Sequence, residues 1–206
     1  MKAPSISSAP SAKAPRLITQ GFINHHRKLL FRLMAAALTA YLIFVPNPWK
    51  LTDLAQLSTE FAGILFIFAG ILGRILATIS IGGHKDKKIM QTELYSISRN
   101  PLYFASFLMA IGVGLLSCRL DFLVLALSGY LAIFYPMMLN EAKGLRENFK
   151  DFAAYEAKVP LFIPNFRLWE ERKTIEINFG LVKRTLLDAS LALLVVPVML
   201  LVRTFI

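Results

Sequence analysis

The sequence predicts an all-α, polytopic membrane protein with about five transmembrane helices and one cytoplasmic amphipathic helix. Three observations carry that prediction. Of the 206 residues, 56% are apolar and only 17% charged, against the ~25% charge usual in soluble domains, and the mean hydropathy is +0.56. Five stretches are apolar enough to cross a bilayer, which takes about 20 mainly apolar residues in helical form. The lysines and arginines gather in every second connection between those stretches, as cytoplasmic loops do.

The chain opens on "MKAPSISSAPSAKAPRLITQ", rich in Ser, Ala and Pro and without an apolar h-region. Residues 1–28 therefore read as a disordered basic arm rather than a secretory signal, and residues 29–206 as the membrane domain. The spans run over Leu29–Val45, Glu60–Ile81, Leu102–Ser117, Phe122–Leu139 and Thr185–Phe205. Between the third and fourth, "SCRLD" leaves room only for a tight hairpin. Gly63, Gly70 and Gly73 share a helical face of the second span, a pattern that suits close helix packing. "GVG" at Gly112–Gly114 lies within a span and reads the same way.

Positive charge orients the spans. The arm carries Lys2, Lys13, Arg16, Arg27 and Lys28; the loop after span two carries Lys85, Lys87, Lys88 and Arg99; a long basic segment follows span four. The opposite side has only Lys50, Arg119 and Arg203. The N-terminus is thus expected in the cytoplasm and the C-terminus outside, in an inner membrane. The net charge of +10 flanks spans instead of lining a soluble groove, which points to anionic headgroups and not to nucleic acid. One cysteine, Cys118, excludes an internal disulfide framework. His25, His26 and His84 stand in basic surroundings, and no metal site is expected.

Two cytoplasmic segments carry more chemistry than connectors need. In "IGGHKDKKIMQTELYSISRNPLY", Gly82-Gly83 ends a helix and Pro101 starts the next, where its missing N–H costs nothing. Pro101 pushes Asn100 toward extended geometry, so Arg99 and Asn100 sit off-helix at a helix N-terminus, a place suited to a carboxylate or phosphate. Tyr103 on the first turn faces the same place. The alternative is a plain helix entry with a snorkelling Arg and an interfacial Tyr. In "NEAKGLRENFKDFAAYEAKVPLFIPNF", Leu145, Phe149, Phe152 and Tyr155 recur at helical spacing, an amphipathic helix at the cytoplasmic surface stopped by Val159-Pro160. Glu141 sits at the inner end of span four, either with a partner or a task or already in headgroup water.

In order and spacing these residues resemble the isoprenylcysteine carboxyl methyltransferase and phospholipid methyltransferase superfamily of integral membrane enzymes. The match runs from about Arg74 to Pro164 through Tyr95, Arg99, Pro101 and Tyr103, then Glu141, Leu145, Phe149, Tyr155, Val159, Pro160 and Pro164. The Arg-Asn-Pro-Leu-Tyr run looks like a bacterial branch of it. The resemblance implies S-adenosylmethionine as methyl donor, S-adenosylhomocysteine as product, and a lipid or lipid-linked acceptor arriving from the membrane. It implies a cofactor-binding part at about 82–164, with Gln91, Tyr95, Arg99, Asn100, Leu102, Tyr103, Glu141, Tyr155 and Pro160 around the cofactor. Glu141 and Arg99 would be the catalytic pair, and Tyr155 and Pro160 would close the pocket as a lid. Asn100 replaces the superfamily's usual histidine and Ala142 one of its paired glutamates. Met137, or Met138 in the other register, stands where carboxyl-methylating members carry an arginine, which counts against a prenylcysteine acceptor. A membrane reductase of the sterol-reductase type and a non-catalytic lipid- or partner-binding relative are the alternatives. The sequence leaves the acceptor and the oligomeric state open.

Overall fold

The structure is a computed structural model that describes residues 18–48, 50–82, 89–175, 177–194 and 196–198. Among the described residues there is no strand. The helices are α1 (Ile18–Phe44), α2 (Asp53–Ile81), α3 (Leu94–Ile97), α4 (Pro101–Leu116), α5 (Leu120–Asn148), α6 (Phe152–Lys158) and α7 (Phe179–Ser190), with 3-10 turns at Phe166–Leu168 and Leu191–Leu194.

At 29 residues each, α2 and α5 are about 43 Å long. Both are long and apolar enough to cross a membrane, and Leu29–Phe44 and Pro101–Leu116 are shorter apolar helices. Their outward faces carry large apolar side chains such as Phe61, Phe68, Leu76, Val124 and Leu139, a surface that suits lipid and would be costly in water. Local signals set the ends of α2. Thr52 caps its start by accepting from the Ala55 N–H, Asp53 complements the positive end, and Gly82 closes it at φ 57°.

The tightest contact is between antiparallel α2 and α4. A Cβ on Gly112 would lie 2.5 Å from the Gly63 carbonyl oxygen and 2.8 Å from Ile67 N, and one on Gly70 would lie 2.6 Å from the Ala105 carbonyl oxygen. The small residues of both helices therefore let the backbones touch, as expected of them. Ile67, Ile71 and Leu116 then pack with Phe122, Ala126 and Ala189 as a core. The hairpin between α4 and α5 occupies Ser117–Arg119, with Cys118 at φ 52°.

Some boundaries differ from the expectation. Helix α1 starts at Ile18, inside the stretch read as an arm, whose first 17 residues lie outside the described ones. The amphipathic stretch is divided: α5 continues past Leu139 to Asn148, the chain turns through Phe149–Asp151, and α6 resumes at Phe152. Phe149 causes the division by adopting extended backbone (φ −133°, ψ 115°). Its ring packs with Ala142, Phe152, Tyr155 and Val159, so the apolar side of α6 faces protein. Of Thr185–Phe205, α7 and the turn at Leu191–Leu194 are described, and residues 199–206 lie outside the described ones.

Arg119 lies buried at the hairpin end of the bundle. It donates to Asp121 at 2.8 Å and to the Val45 carbonyl at 2.7 Å, lies over the Tyr41 ring, and Tyr41 donates to Asp121 at 2.6 Å. This knot ties α1 to the α4–α5 hairpin. The residues expected to do chemistry stand at the opposite end, about 24 Å away along α4.

Candidate functional site

The site is built on the first turn of α4. Pro101 begins the helix, and no side chain caps it at Asn100, which lies at φ −129°, ψ 57°. The Asn100 side chain turns away and donates to the Leu161 carbonyl at 2.9 Å. The Arg99 N–H donates to the Pro160 carbonyl and the Asn165 N–H to the Ile97 carbonyl, both at 2.9 Å. Fully buried Ser98 donates to the Phe162 carbonyl at 2.9 Å. Residues 97–100 and 160–165 thus run antiparallel, joined mostly through backbone carbonyls. Phe162 seats on α4, with its ring 5.6 Å from Phe104 and 5.4 Å from Phe107. A second tie follows: Arg172 donates to Thr92 at 2.7 Å and its N–H to Glu93 at 2.8 Å.

On one side of this turn, the Arg99 and Arg146 guanidinium groups both hold the carboxylate of Glu156 on α6. Arg146, then Arg99, keep that carboxyl below its usual value, against the upward push of burial. Arg99 Nε is buried with no hydrogen-bond partner. An open groove of about 500 Å³ lies beside it, lined by Arg99, Glu156, Ala157, Lys158, Val159, Pro160, Ile163, Pro164 and Asn165.

On the other side, Tyr103 donates to Glu141 at 2.6 Å. Tyr130 of α5 donates to the Tyr103 carbonyl at 2.7 Å and stacks on Phe134, 4.4 Å between ring centres. Met137 packs in this aromatic cluster. Tyr95 joins the two sides. Its carbonyl accepts from Tyr155 at 2.7 Å. Burial pushes its phenol well above the usual range, and the neighbouring Tyr155, Glu141 and Tyr103 add to that push. Burial raises the Tyr155 phenol as well, while Arg99 pulls it down.

The structure therefore brings Tyr95, Arg99, Asn100, Leu102, Tyr103, Glu141, Tyr155 and Pro160 around one helix start. Glu141 and Tyr103 do not line the groove beside Arg99; they form the neighbouring polar pair. Gln91 stands exposed on the segment leading to α3, outside this network. Sequence reading missed Glu156, because one arginine partner lies 57 residues away and the other is brought to it only by the turn between α5 and α6. It also passed over Arg74, the one charged residue between Phe61 and Ile81, where its isolation in an apolar span was the available signal.

The family model of phospholipid methyltransferases matches residues 59–151, from α2 to the turn before α6. Over those residues the chain is similar to the phospholipid methyltransferase family. That family belongs to the isoprenylcysteine carboxyl methyltransferase-like superfamily. The phospholipid methyltransferase match contains Arg99, Tyr103 and Glu141, while Tyr155, Glu156 and Pro160 lie beyond it. Two curated proteins are similar over most of their length. The nickel-cobalt-cadmium resistance protein NccN of Alcaligenes xylosoxydans xylosoxydans is 29% identical over 187 residues, 89% of this chain and 85% of its own. The cobalt-zinc-cadmium resistance protein CzcN of Cupriavidus metallidurans is 28% identical over 187 residues, 90% of this chain and 85% of its own. No solved structure matches the chain.

Proposed function

We propose that the protein is an S-adenosylmethionine-dependent methyltransferase of the inner membrane, with its site facing the cytoplasm and a lipid or lipid-linked acceptor. The observation that supports this most is the shared helix start. Arg99 and Asn100 hold the 160–165 segment on one side of α4, and Tyr103 holds Glu141 on the other, within the span of the family match.

The residues present fit such a cofactor. Arg99 and Arg146 already receive one carboxylate, that of Glu156, so the chemistry there suits the cofactor's amino-acid carboxylate. The orphaned Arg99 Nε supplies a donor that a bound group would satisfy. The groove is within the ~300–1,000 Å³ range of small-molecule sites, and Ile163, Pro160 and Pro164 give it apolar walls. Glu141 is an acceptor for an ammonium or for hydroxyls, and Lys158 adds positive charge. When bound, the cofactor supplies an activated methyl group on a sulfonium. The chain's own residues then align the acceptor and exclude water, with the Phe162 segment as cover.

The charge pattern supports an N-terminus inside and a C-terminus outside. The two relatives are named for resistance to divalent metals. Methylating an anionic headgroup oxygen removes a negative charge from the membrane surface and so lowers its capacity for such cations, and we place this chain in that kind of role.

The test is methyl transfer from tritiated S-adenosylmethionine by detergent-purified protein supplied with total membrane lipid. Label in the organic phase is expected. No label, together with no calorimetric binding of S-adenosylhomocysteine, overturns the reading and leaves the reductase and non-catalytic alternatives.

A further inference from the structure

We infer that Glu156 is an internal counter-ion standing in the carboxylate subsite of the groove, which an arriving carboxylate displaces from Arg99 onto Arg146; this rests on the reading of the groove as the cofactor's site. Arg99 and Glu156 both line that groove, and their side chains are 13% and 19% exposed. Arg146 lies outside the lining and is 59% exposed. The pair at the groove wall is therefore shielded, while the second arginine stands toward water. Lys158, the other cation of the lining, has a carboxylate of its own, that of Glu170 at 3.9 Å.

The Glu156 carboxylate is divided between its partners. Its Oε1 accepts from Arg99 Nη1 and its Oε2 from Arg146 Nε, one bond to each guanidinium. Neither arginine thus makes the two-bond fork that guanidinium and carboxylate groups form at their best. Arg99 Nε, buried and without a hydrogen-bond partner, is the donor this division leaves over. A ligand's carboxylate can take Arg99 with both oxygens, and Glu156 can then close with both of its own on Arg146. One ion pair is broken and two fuller ones are made.

Only a side chain has to move. Helix α6 is seated by buried Phe152, Tyr155 and Val159, by the Tyr155 hydroxyl on the Tyr95 carbonyl at 2.7 Å, and by the Arg99 N–H on the Pro160 carbonyl at 2.9 Å. None of these contacts involves the Glu156 carboxylate. In the empty protein Glu156 keeps a shielded guanidinium paired, where an unpaired charge would be costly. Methyl donor and product carry the same carboxylate, so the return of Glu156 to Arg99 favours departure of the product. Glu156 therefore lowers the affinity for a ligand that brings a carboxylate and leaves a plain nucleoside untouched.

Calorimetry on the full chain in detergent tests this with S-adenosylhomocysteine and with methylthioadenosine, which keeps the nucleoside and lacks the amino-acid carboxylate. Glu156→Gln should bind S-adenosylhomocysteine about tenfold tighter, the equivalent of one charge-assisted bond no longer given up on binding. It should bind methylthioadenosine as the wild type does. Arg146→Gln, an exposed change that serves should the first variant not fold, should weaken S-adenosylhomocysteine several-fold, because the displaced Glu156 has lost its second partner. In the double variant the Arg146 change should make no difference. Unchanged or weaker S-adenosylhomocysteine binding by Glu156→Gln, or equal tightening of both probes, overturns the proposal. An Arg146→Gln protein that binds as the wild type does overturns it too. Binding of neither probe to any of these chains overturns the reading of the groove as the cofactor's site, and the proposal with it.

Discussion

Substituting Gly112 by alanine tests the packing on which the whole site stands. The new methyl would meet the Gly63 carbonyl oxygen at 2.5 Å, Ile67 Cγ1 at 2.6 Å and Ile67 N at 2.8 Å, where real Cβ contacts stay beyond 3.0 Å. Ile67 could swing its side chain aside, but two of the three atoms are backbone. Helix α4 must therefore move from α2 by at least about half an ångström, and overpacking of this kind costs about 1–3 kcal/mol. Because the same helix carries Arg99, Asn100 and Tyr103 at its start, the shift reaches the site. A misplacement near 1 Å can cost up to about a hundredfold in rate, so methyl transfer should fall more sharply than stability. Equilibrium unfolding in mixed micelles, followed by circular dichroism, gives the first number, and initial rates give the second. Gly73→Ala is the control, since its Cβ meets only the Ala105 methyl at 3.0 Å and should cost under about 1 kcal/mol. A Gly112→Ala protein within about 0.5 kcal/mol of wild type, with unchanged rate, would refute the argument.

Tyr103→Phe removes the hydrogen bond to Glu141; bonds to charged groups contribute about 1.5–3 kcal/mol, so the initial rate should drop ten- to a hundredfold with the fold intact by circular dichroism. The Glu156 carboxyl has a lowered value in the folded protein, so its ion pairs stabilise fully above the ordinary value of 4.5 and are lost as pH falls through the lowered one. Thermal melts should show an acid limb below about pH 4.5 that Glu156→Gln flattens, at the expense of stability at neutral pH. Arg119→Ala removes a side chain that is only 4% exposed and leaves Asp121, 29% exposed, with Tyr41 and the Phe122 amide as its partners; stability should fall, by less than the about 3–5 kcal/mol of breaking a fully buried pair, and S-adenosylhomocysteine affinity in the protein that remains folded should not change. Asn100→Ala leaves the Leu161 carbonyl without its partner, and hydrogen exchange at the Arg99 and Asn165 amides should quicken several-fold while the rest of α4 keeps its protection.

The fold was legible where apolar runs and small residues speak for themselves. Pro101 starts α4, Ser117–Arg119 is the tight hairpin, and Gly63, Gly70 and Gly73 are the packing face of α2 that their spacing announces. The Arg99–Tyr103 run stood out in the sequence because a bare helix entry does not need so many hydrogen-bonding groups. What could not be read was the pairing of those groups. Asn100 looked like a ligand-facing residue, and the structure spends its amide on Leu161. Glu156 looked like one charge among several on an amphipathic helix, and it collects two arginines 57 and 10 residues away. Such partners are chosen by tertiary approach, which hydrophobic periodicity does not encode. The division of the amphipathic stretch at Phe149 escaped for the same reason, since packing against Ala142 and Phe152 overrides a helical pattern that continues through it.

The segment at 160–165 is fastened to the rest of the site mainly through its own main chain, at the carbonyls of Pro160, Leu161 and Phe162 and the amide of Asn165. Main-chain fastening does not depend on which side chains the segment carries. Ile163 and Asn165, which line the groove, can therefore mutate without breaking those main-chain bonds. The segment behaves as an interchangeable faceplate on a fixed mount, so divergence among related chains should collect at its outward side chains and leave 97–100 unaltered.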